Sequence, residues 1–362
     1  MNKLLKTLPQ DDEYYMPGEF EPHQGCWMIF PERIDNWRKN AEPAQAVYAK
    51  VANTINKYEP VIMITSPRTK EIATKLLDPT IKILVFENDD AWMRDVGPTF
   101  LKNKNGDVRA VDWIFNAWGG LNGGLYYPWD NDDKIAAEVS SYLKIDRYRT
   151  SFVLEGGSIH VDGEGTLYTT EECLLNPNRN PHLSKLEIEA ALKQYLNVKK
   201  VIWLPYGIFN DETSGHVDNM LCVVKPGTVL LAWTDDQNDP QYERSRAALK
   251  FLEATTDAKG RKIEVIKLPI PTPMYTTNED TSDIIGKEHV KARLENTRLA
   301  GSYVNFYIAN GAIILPIFNL ATDQQAIDII GAAFPHYKIE PIYAYEILLG
   351  GGNIHCITQQ QI

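Results

Sequence analysis

Polar clusters that interrupt an otherwise strand- and helix-forming chain at nearly even intervals constrain this sequence more than any other feature. They read Trp92-Met93-Arg94-Asp95, Glu155-Gly156-Gly157-Ser158, Gly215-His216-Val217-Asp218, Asn278-Glu279-Asp280 and Gly350-Gly351-Gly352-Asn353-Ile354-His355-Cys356. Marked at 95, 155, 216, 279 and 356, they stand 60, 61, 63 and 77 positions apart. Two readings fit that spacing: five repeated units, or the ordinary polar loops of a long α/β chain. Repeats that close on themselves would bring one end of every unit to a common axis and gather distant polar side chains into one pocket. The echo of Gly-Gly-Ser-Ile-His at 156–160 in Gly-Gly-Asn-Ile-His at 351–355 favours the repeat.

Between the clusters, runs rich in β-branched residues predict strands at 61–65, 81–86, 166–170, 199–204, 229–233, 263–268 and 313–315. Apolar residues at helical spacing predict helices at 43–57, 132–143, 184–196, 242–253 and 323–333. Ser184 followed by Glu187 reads as a capping box, and Asp323 is placed to open the last helix. With no Gly/Ser-rich or Pro-rich linker to divide it, the chain is expected to form one α/β catalytic domain over 1–362.

A formal net charge of −11 argues against general affinity for nucleic acid, which needs clustered Lys and Arg. It is compatible with a cationic substrate, although acidity for solubility alone explains it as well. The four cysteines, Cys26, Cys173, Cys222 and Cys356, have neither disulfide-framework nor zinc-site spacing, which points to a reducing compartment. The first residues hold no apolar run of signal-peptide length and no stretch reaches membrane-span length, so a cytoplasmic location without membrane partners is expected.

Cys356 follows a triple glycine and His355, where a backbone without Cβ atoms can approach a ligand closely. From spacing alone it is either a nucleophile or a packed terminal thiol. Cys26 and Cys222 sit in apolar sequence and read as core, as does Cys173. On an extended strand His216 and Asp218 would share one face, offering a proton-transfer group beside a carboxylate. Asp95 lies among large apolar residues and could instead pair with Arg94. Glu155, ending an apolar strand, needs a partner or a task. As a set, three carboxylates, a histidine and a thiol suit a guanidinium: it is planar, permanently charged, and matched by paired carboxylates that hold its carbon for thiolate attack.

At these residues the chain resembles the agmatine deiminase family of the guanidine-modifying, or pentein, superfamily, which includes the peptidylarginine deiminases. The resemblance runs over essentially the whole chain, from Met16-Pro17-Gly18-Glu19-Phe20-Glu21-Pro22-His23 through Cys173-Leu174-Leu175-Asn176-Pro177-Asn178-Arg179-Asn180-Pro181 to Cys356. It implies a five-bladed, pseudo-symmetric α/β propeller with a central active-site channel. It also implies hydrolysis of agmatine to N-carbamoylputrescine and ammonia, in polyamine (putrescine) metabolism, with no metal or cofactor. By position it implies Cys356 as nucleophile, His216 as general acid and base, Asp95 and Asp218 as guanidinium ligands, and Glu155 as the carboxylate supporting His216. Trp92 would flank the alkyl chain, with Glu212 and Gly352 as further substrate contacts. Asn178 is the candidate for the distal ammonium, and Arg179 is available should a substrate carboxylate need a cation. Family habit, together with Trp and Tyr residues expected at the surface, favours a homo-oligomer.

Overall fold

The computed structural model describes residues 2–362, and five small sheets carry its architecture. Four of them are built the same way: a hairpin of two antiparallel strands, then a helix that returns the chain to a third strand parallel to the second. The first blade comprises Thr99–Lys102, Val108–Ile114 and Arg147–Val153. The second comprises His160–Val161, Thr166–Thr170 and Lys200–Leu204. Leu221–Lys225, Thr228–Trp233 and Glu264–Pro269 make the third. Tyr307–Ala309, Ala312–Ile317 and Lys338–Tyr343 make the fourth. The fold is a five-bladed α/β propeller.

The fifth blade takes strands from both ends of the chain. Gln359–Gln361 pairs antiparallel with Gly25–Ile29, which is followed in parallel by Val61–Thr65 and Lys82–Val85. Gly25–Ile29 is buried along its whole length, so its apolar Cys-Trp-Met-Ile run is what a strand covered on both faces requires. Trp27 Nε1 donates to Gln361 Oε1 at 2.8 Å, adding a side-chain tie to the ladder.

The five helices expected from periodicity are the five crossover helices: Glu42–Ile55, Ile135–Leu143, Lys185–Leu196, Gln241–Ala254 and Thr322–Ala333. Pro43 sits in the first turn of its helix, where a missing N–H costs nothing. The capping box at Ser184 forms with both of its bonds. Asp323 differs from expectation. It lies inside the first turn, its carboxylate accepts from the backbone N–H groups of Phe318 and Leu320, and a short helix, Tyr345–Leu349, still follows.

A short polar turn precedes the first strand of every blade. Met93–Val96, Gly156–Ser158 and Val217–Asn219 serve the first three, and segments 302–305 and 353–356 serve the last two. These are the true repeat markers, and the fourth one expected, Glu279, is not among them. Glu279 belongs to a surface helical turn, Asn278–Thr281, and its side chain is exposed. The first strands begin at 99, 160, 221, 307 and 359, and the long step from 221 to 307 holds an inserted segment that shifted the apparent spacing.

The expectation of exposed tryptophans is also corrected, since seven of the eight are buried and Trp129 is half-buried. Among the described residues no helix is long and apolar enough to cross a membrane. Because segment 359–361 both pairs the buried strand and tethers the turn bearing Cys356, a chain ending at Thr358 is expected to melt lower by about 5 °C or more. Alkylation of Cys356 should also become faster. Thermal denaturation and mass-detected alkylation check this, and unchanged values in both would refute the tether.

Candidate active site

The polar turns deliver their side chains to one buried point on the axis. Gly157 defines it: a Cβ added there would lie 2.6 Å from His216 Nδ1, 2.9 Å from Asp218 Oδ2 and 2.9 Å from Asp95 Oδ1. Only a residue without a side chain lets three such groups converge. Cys356 Sγ lies 3.7 Å from Asp218 Oδ2 and 3.4 Å from Asn305 Oδ1. Cys356, buried with 6% of its surface exposed, lines a narrow cavity together with Trp92, Asp95, Trp118 and Gly352.

His216 and Asp218 do not share the face of a strand, as their spacing suggested. His216 caps the tight turn Val217–Asn219 that carries Asp218, and Asp211 Oδ2 anchors it by accepting from the His216 backbone N–H at 3.0 Å. His216 Nε2 faces Glu155 Oε2 at 3.4 Å, and its Nδ1 lies 4.0 Å from Asp95 Oδ2. Burial alone would strip the imidazole of its proton, but Asp95, with Glu155 also adjacent, outweighs it and raises His216 well above the ordinary histidine range. Burial likewise acts against the Glu155 carboxylate, yet Arg179, bonded through Nε at 2.7 Å, together with His216 brings it down to about 2.

Asp95 does not pair with Arg94, whose guanidinium points away to Glu19, Gln360 and the His355 carbonyl. Asp95 is held instead by the Gly157 N–H at 2.8 Å and by Trp118 Nε1 at 2.9 Å. Burial, helped by the charges of Asp218 and Glu155 and opposed by His216, pushes its carboxyl up to about 6. Asp218 Oδ2 accepts from His355 Nδ1 at 2.9 Å, while its Oδ1 is buried without a hydrogen-bond partner among the described residues. Burial and then the Asp218 and Asp95 charges raise the Cys356 thiol well above its usual value. The resting site is therefore a protonated thiol beside the Asp95 and Asp218 carboxylates.

Trp92 stacks on Trp37 with ring centroids 5.5 Å apart and donates to Asp90, which fixes its indole as one wall of the cavity. Gly352 leaves room for that wall, since a Cβ there would come within 2.4 Å of the indole. Beyond Leu125, Tyr126, Val290 and Lys291 the site adjoins a wider cavity of about 390 Å³, and Glu212 stands in its wall. Glu212 accepts from Arg293 Nη1 at 2.6 Å with both oxygens and lies 3.4 Å from Lys291 Nζ. The remaining Arg293 donors go to Asn36 Oδ1 and the Gly350 carbonyl, so all five are used.

Asn178 does not line the narrow cavity. It bonds the Trp118 carbonyl and Ser214 Oγ, and it accepts from Arg179. Arg179 itself is fully buried against Glu155 and the Thr213 carbonyl and is not free to meet a substrate carboxylate. Two triplets have metal-like spacing, Glu19 with His160 and His355, and Glu155 with Cys173 and His216. Each contains a carboxylate already ion-paired with an arginine, Arg94 or Arg179, whose charge opposes a further cation. Cys173 is in the core as expected, but its edge of the core touches this site.

Trp118, Asp211 and Asn305 escaped sequence reading. Gly157→Ala is expected to leave the fold intact and cut turnover by about 100-fold, because it displaces groups that must stay within about 1 Å of register. Steady-state kinetics beside a thermal melt check it, and near-normal turnover would show that the convergence is not needed.

Comparison with known proteins fits this geometry. Residues 15–361 match the family model of the Porphyromonas-type peptidyl-arginine deiminases. The agmatine deiminase of Pseudomonas aeruginosa is 56% identical over 357 residues, covering 98% of this chain and 97% of that relative. The structure of the Enterococcus faecalis agmatine deiminase superposes with a TM-score of 0.97 at 44% identity, covering 100% of this chain and 99% of the other. A cysteine-to-serine variant of the C. jejuni agmatine deiminase, solved with substrate bound, gives a TM-score of 0.83 at 26% identity with 96% of each chain covered.

Proposed function

The chain belongs to the Porphyromonas-type peptidyl-arginine deiminase family and is an enzyme that hydrolyses agmatine to N-carbamoylputrescine and ammonia, and we propose that it does so through a covalent amidino-cysteine on Cys356. The observation that carries this mechanism is the convergence of Asp95, His216 and Asp218 on the space above Gly157, with Cys356 Sγ 3.7 Å from Asp218.

In this reading the substrate guanidinium lies between Asp95 and Asp218 and donates to the unpartnered Asp218 Oδ1. Its charge offsets the two carboxylates that hold the thiol protonated, so substrate arrival itself favours the thiolate, the thiol proton leaving to solvent. The sulfur adds to the guanidinium carbon, giving a tetrahedral adduct. His216, protonated at rest, gives its proton to one NH2 group, and the C–N bond breaks to release ammonia and leave a thiouronium cation on Cys356. Neutral His216 then takes a proton from water as the oxygen attacks the same carbon. The C–S bond breaks and restores the thiolate, the adduct hydroxyl loses its proton to solvent as the carbonyl forms, the ureido product leaves neutral at that end, and the ammonia already released takes up a proton to become ammonium. Glu155, fixed by Arg179, keeps His216 oriented for both transfers.

Trp92 and Gly352 shape the passage for the alkyl chain. For the distal ammonium Glu212 fits better than Asn178, because it is a carboxylate facing the outer cavity while Asn178 lies behind the wall. An arginine carboxylate at the same place would find Glu212, and the donors of Arg293 are already spent. We assign the whole of 1–362 to one catalytic unit, since residues from several blades share the site. We place its reaction in cytoplasmic polyamine metabolism and expect a homo-oligomer. Neither a metal nor another cofactor enters any step.

Incubation with agmatine, arginine and a peptidyl-arginine in parallel, with ureido products followed by mass, should give product from agmatine at a rate at least about 100-fold above the other two. Comparable turnover of arginine would overturn the substrate assignment. The Cys356→Ser protein should bind agmatine without forming product or adduct. Because Asp95 is neutral below about pH 6 and ionised above it, kcat/KM should fall on the acid side of about pH 6. A pH–rate profile flat through that region would remove Asp95 from the clamp.

A further inference from the structure

Behind Asp218, on the side away from the substrate cavity, lies a buried chain of charged groups that the reaction as written does not use. His355 Nδ1 faces Asp218 Oδ2 at 2.9 Å, and His355 Nε2 faces Glu19 Oε1 and Oε2 at 3.0 and 2.9 Å. Glu19 also accepts from Arg94 Nη1 at 3.3 Å, and Arg94 is further fixed by Gln360 Oε1 at 2.6 Å. The His160 ring stacks on His355 at 5.8 Å and 14°. His216, Cys222 and Cys356 are further titratable neighbours of Asp218. All of these groups are buried.

The geometry fixes the proton count. A neutral imidazole has one N–H and one lone pair, so one ring nitrogen would present its lone pair to a carboxylate oxygen at 3.0 Å or less. Moving the proton onto Glu19 is disfavoured, because Arg94 is bonded to that carboxylate and stabilises its charge. Moving it onto Asp218 is disfavoured as well: against its burial, His355, His216 and Arg94 hold that carboxyl below the ordinary carboxylate range. Both ring nitrogens therefore carry hydrogens. His160, whose Nδ1 has no partner among the described residues, is held neutral by burial, its pKa lowered to about 4, so the stacked pair carries one charge.

We propose that His355 is a positioning residue: a permanently charged imidazolium, clamped between Glu19 and Asp218, that keeps Asp218 ionised and turned so that Oδ1 meets the substrate. It compensates Asp218 from behind without filling the front, and its fixed charge sits one residue from the nucleophile. Glu19 and Arg94 anchor it in turn. The consequence for substrate rests on the guanidinium reading above, whereas the protonation state does not.

Nitrogen NMR of the full chain with labelled histidine tests the state directly. Both ring nitrogens of His355 should remain protonated across the interval in which an ordinary histidine titrates, about pH 6.5. A lone-pair nitrogen at neutral pH overturns the proposal. The functional arm is His355→Gln, which fills similar space with a neutral side chain. It should raise KM for agmatine about 10- to 100-fold, the worth of a charge-assisted bond, while kcat falls less. A merely structural role would lower kcat through an inactive fraction and leave KM alone, and that result overturns the proposal too. Should His355→Gln fail to fold, Glu19→Gln takes its place, with a smaller rise in KM expected and an unchanged KM counting against the proposal. Absence of ureido product from wild-type protein would sink the functional reading while leaving the NMR result to judge His355 on its own.

Discussion

Carboxylates crowded into a dry pocket are the constraint on which this molecule turns. Asp95, Glu155, Asp211 and Asp218 are drawn together at the propeller axis beside a thiol, with little water to screen them. Left alone they would repel or take up protons, and Asp95 with its raised pKa stands part of the way there. The fold answers by placing cations around the rim of the cluster: Arg179 on Glu155, His216 between Glu155 and Asp95, and His355 behind Asp218. What remains open to a cation, in the proposed reading, is the space between Asp95 and Asp218, whose carboxylates give it the sign a guanidinium requires. In the proposed mechanism recognition and nucleophile activation share one cause, since the cation that satisfies the carboxylates also releases the thiol.

The same logic explains why the site needs a closed ring. A buried ion pair gains little unless its geometry is held well, and each carboxylate here arrives on a different blade's turn. A single sheet could not present Asp95, Glu155 and Asp218 from three directions. Cys356 comes from the chain's far end, and its position depends on the pairing of 359–361 with Gly25–Ile29. The backbone bond from Arg94 N to the Cys356 carbonyl, 3.1 Å, ties that turn to the one carrying Asp95. Closure of the fifth blade is thereby coupled to the spacing between nucleophile and clamp.

How much of this was legible in the sequence follows from which forces act locally. The crossover helices were readable because each shows one apolar stripe, and the central strands because β-branched runs stand out. The short first strands His160–Val161 and Tyr307–Ala309 were not, being two and three residues long. Asp95 and Glu155 could be singled out as charges beside apolar residues, His216 and Asp218 by their two-residue spacing, and Cys356 by the triple glycine before it. Trp118 and Asn305 look ordinary in their local sequence. Only the tertiary fold turns the Trp118 indole onto Asp95 and the Asn305 amide onto Cys356. Glu279 misled for the opposite reason, as an anomalous acidic cluster produced by a capping box at Thr277 and Asp280 on the surface.

The inserted segment between the third and fourth blades bears on selectivity in a way the ring itself does not. It supplies Lys291 and Arg293 to the mouth of the pocket, and one would expect two cations there to favour a substrate carrying a carboxylate. Hydrogen-bond accounting reverses that expectation. Arg293 spends its five donors on Glu212, Asn36 and the Gly350 carbonyl, so it acts as a strut that fixes a carboxylate at the rim. Of the two, only the half-exposed Lys291, a single compact charge 3.4 Å from Glu212, can move aside at small cost. A substrate ammonium can replace it against Glu212 charge for charge. A substrate carboxylate could not do so without leaving two anions face to face. On the proposed placement of the substrate, the mouth exchanges one ammonium for another.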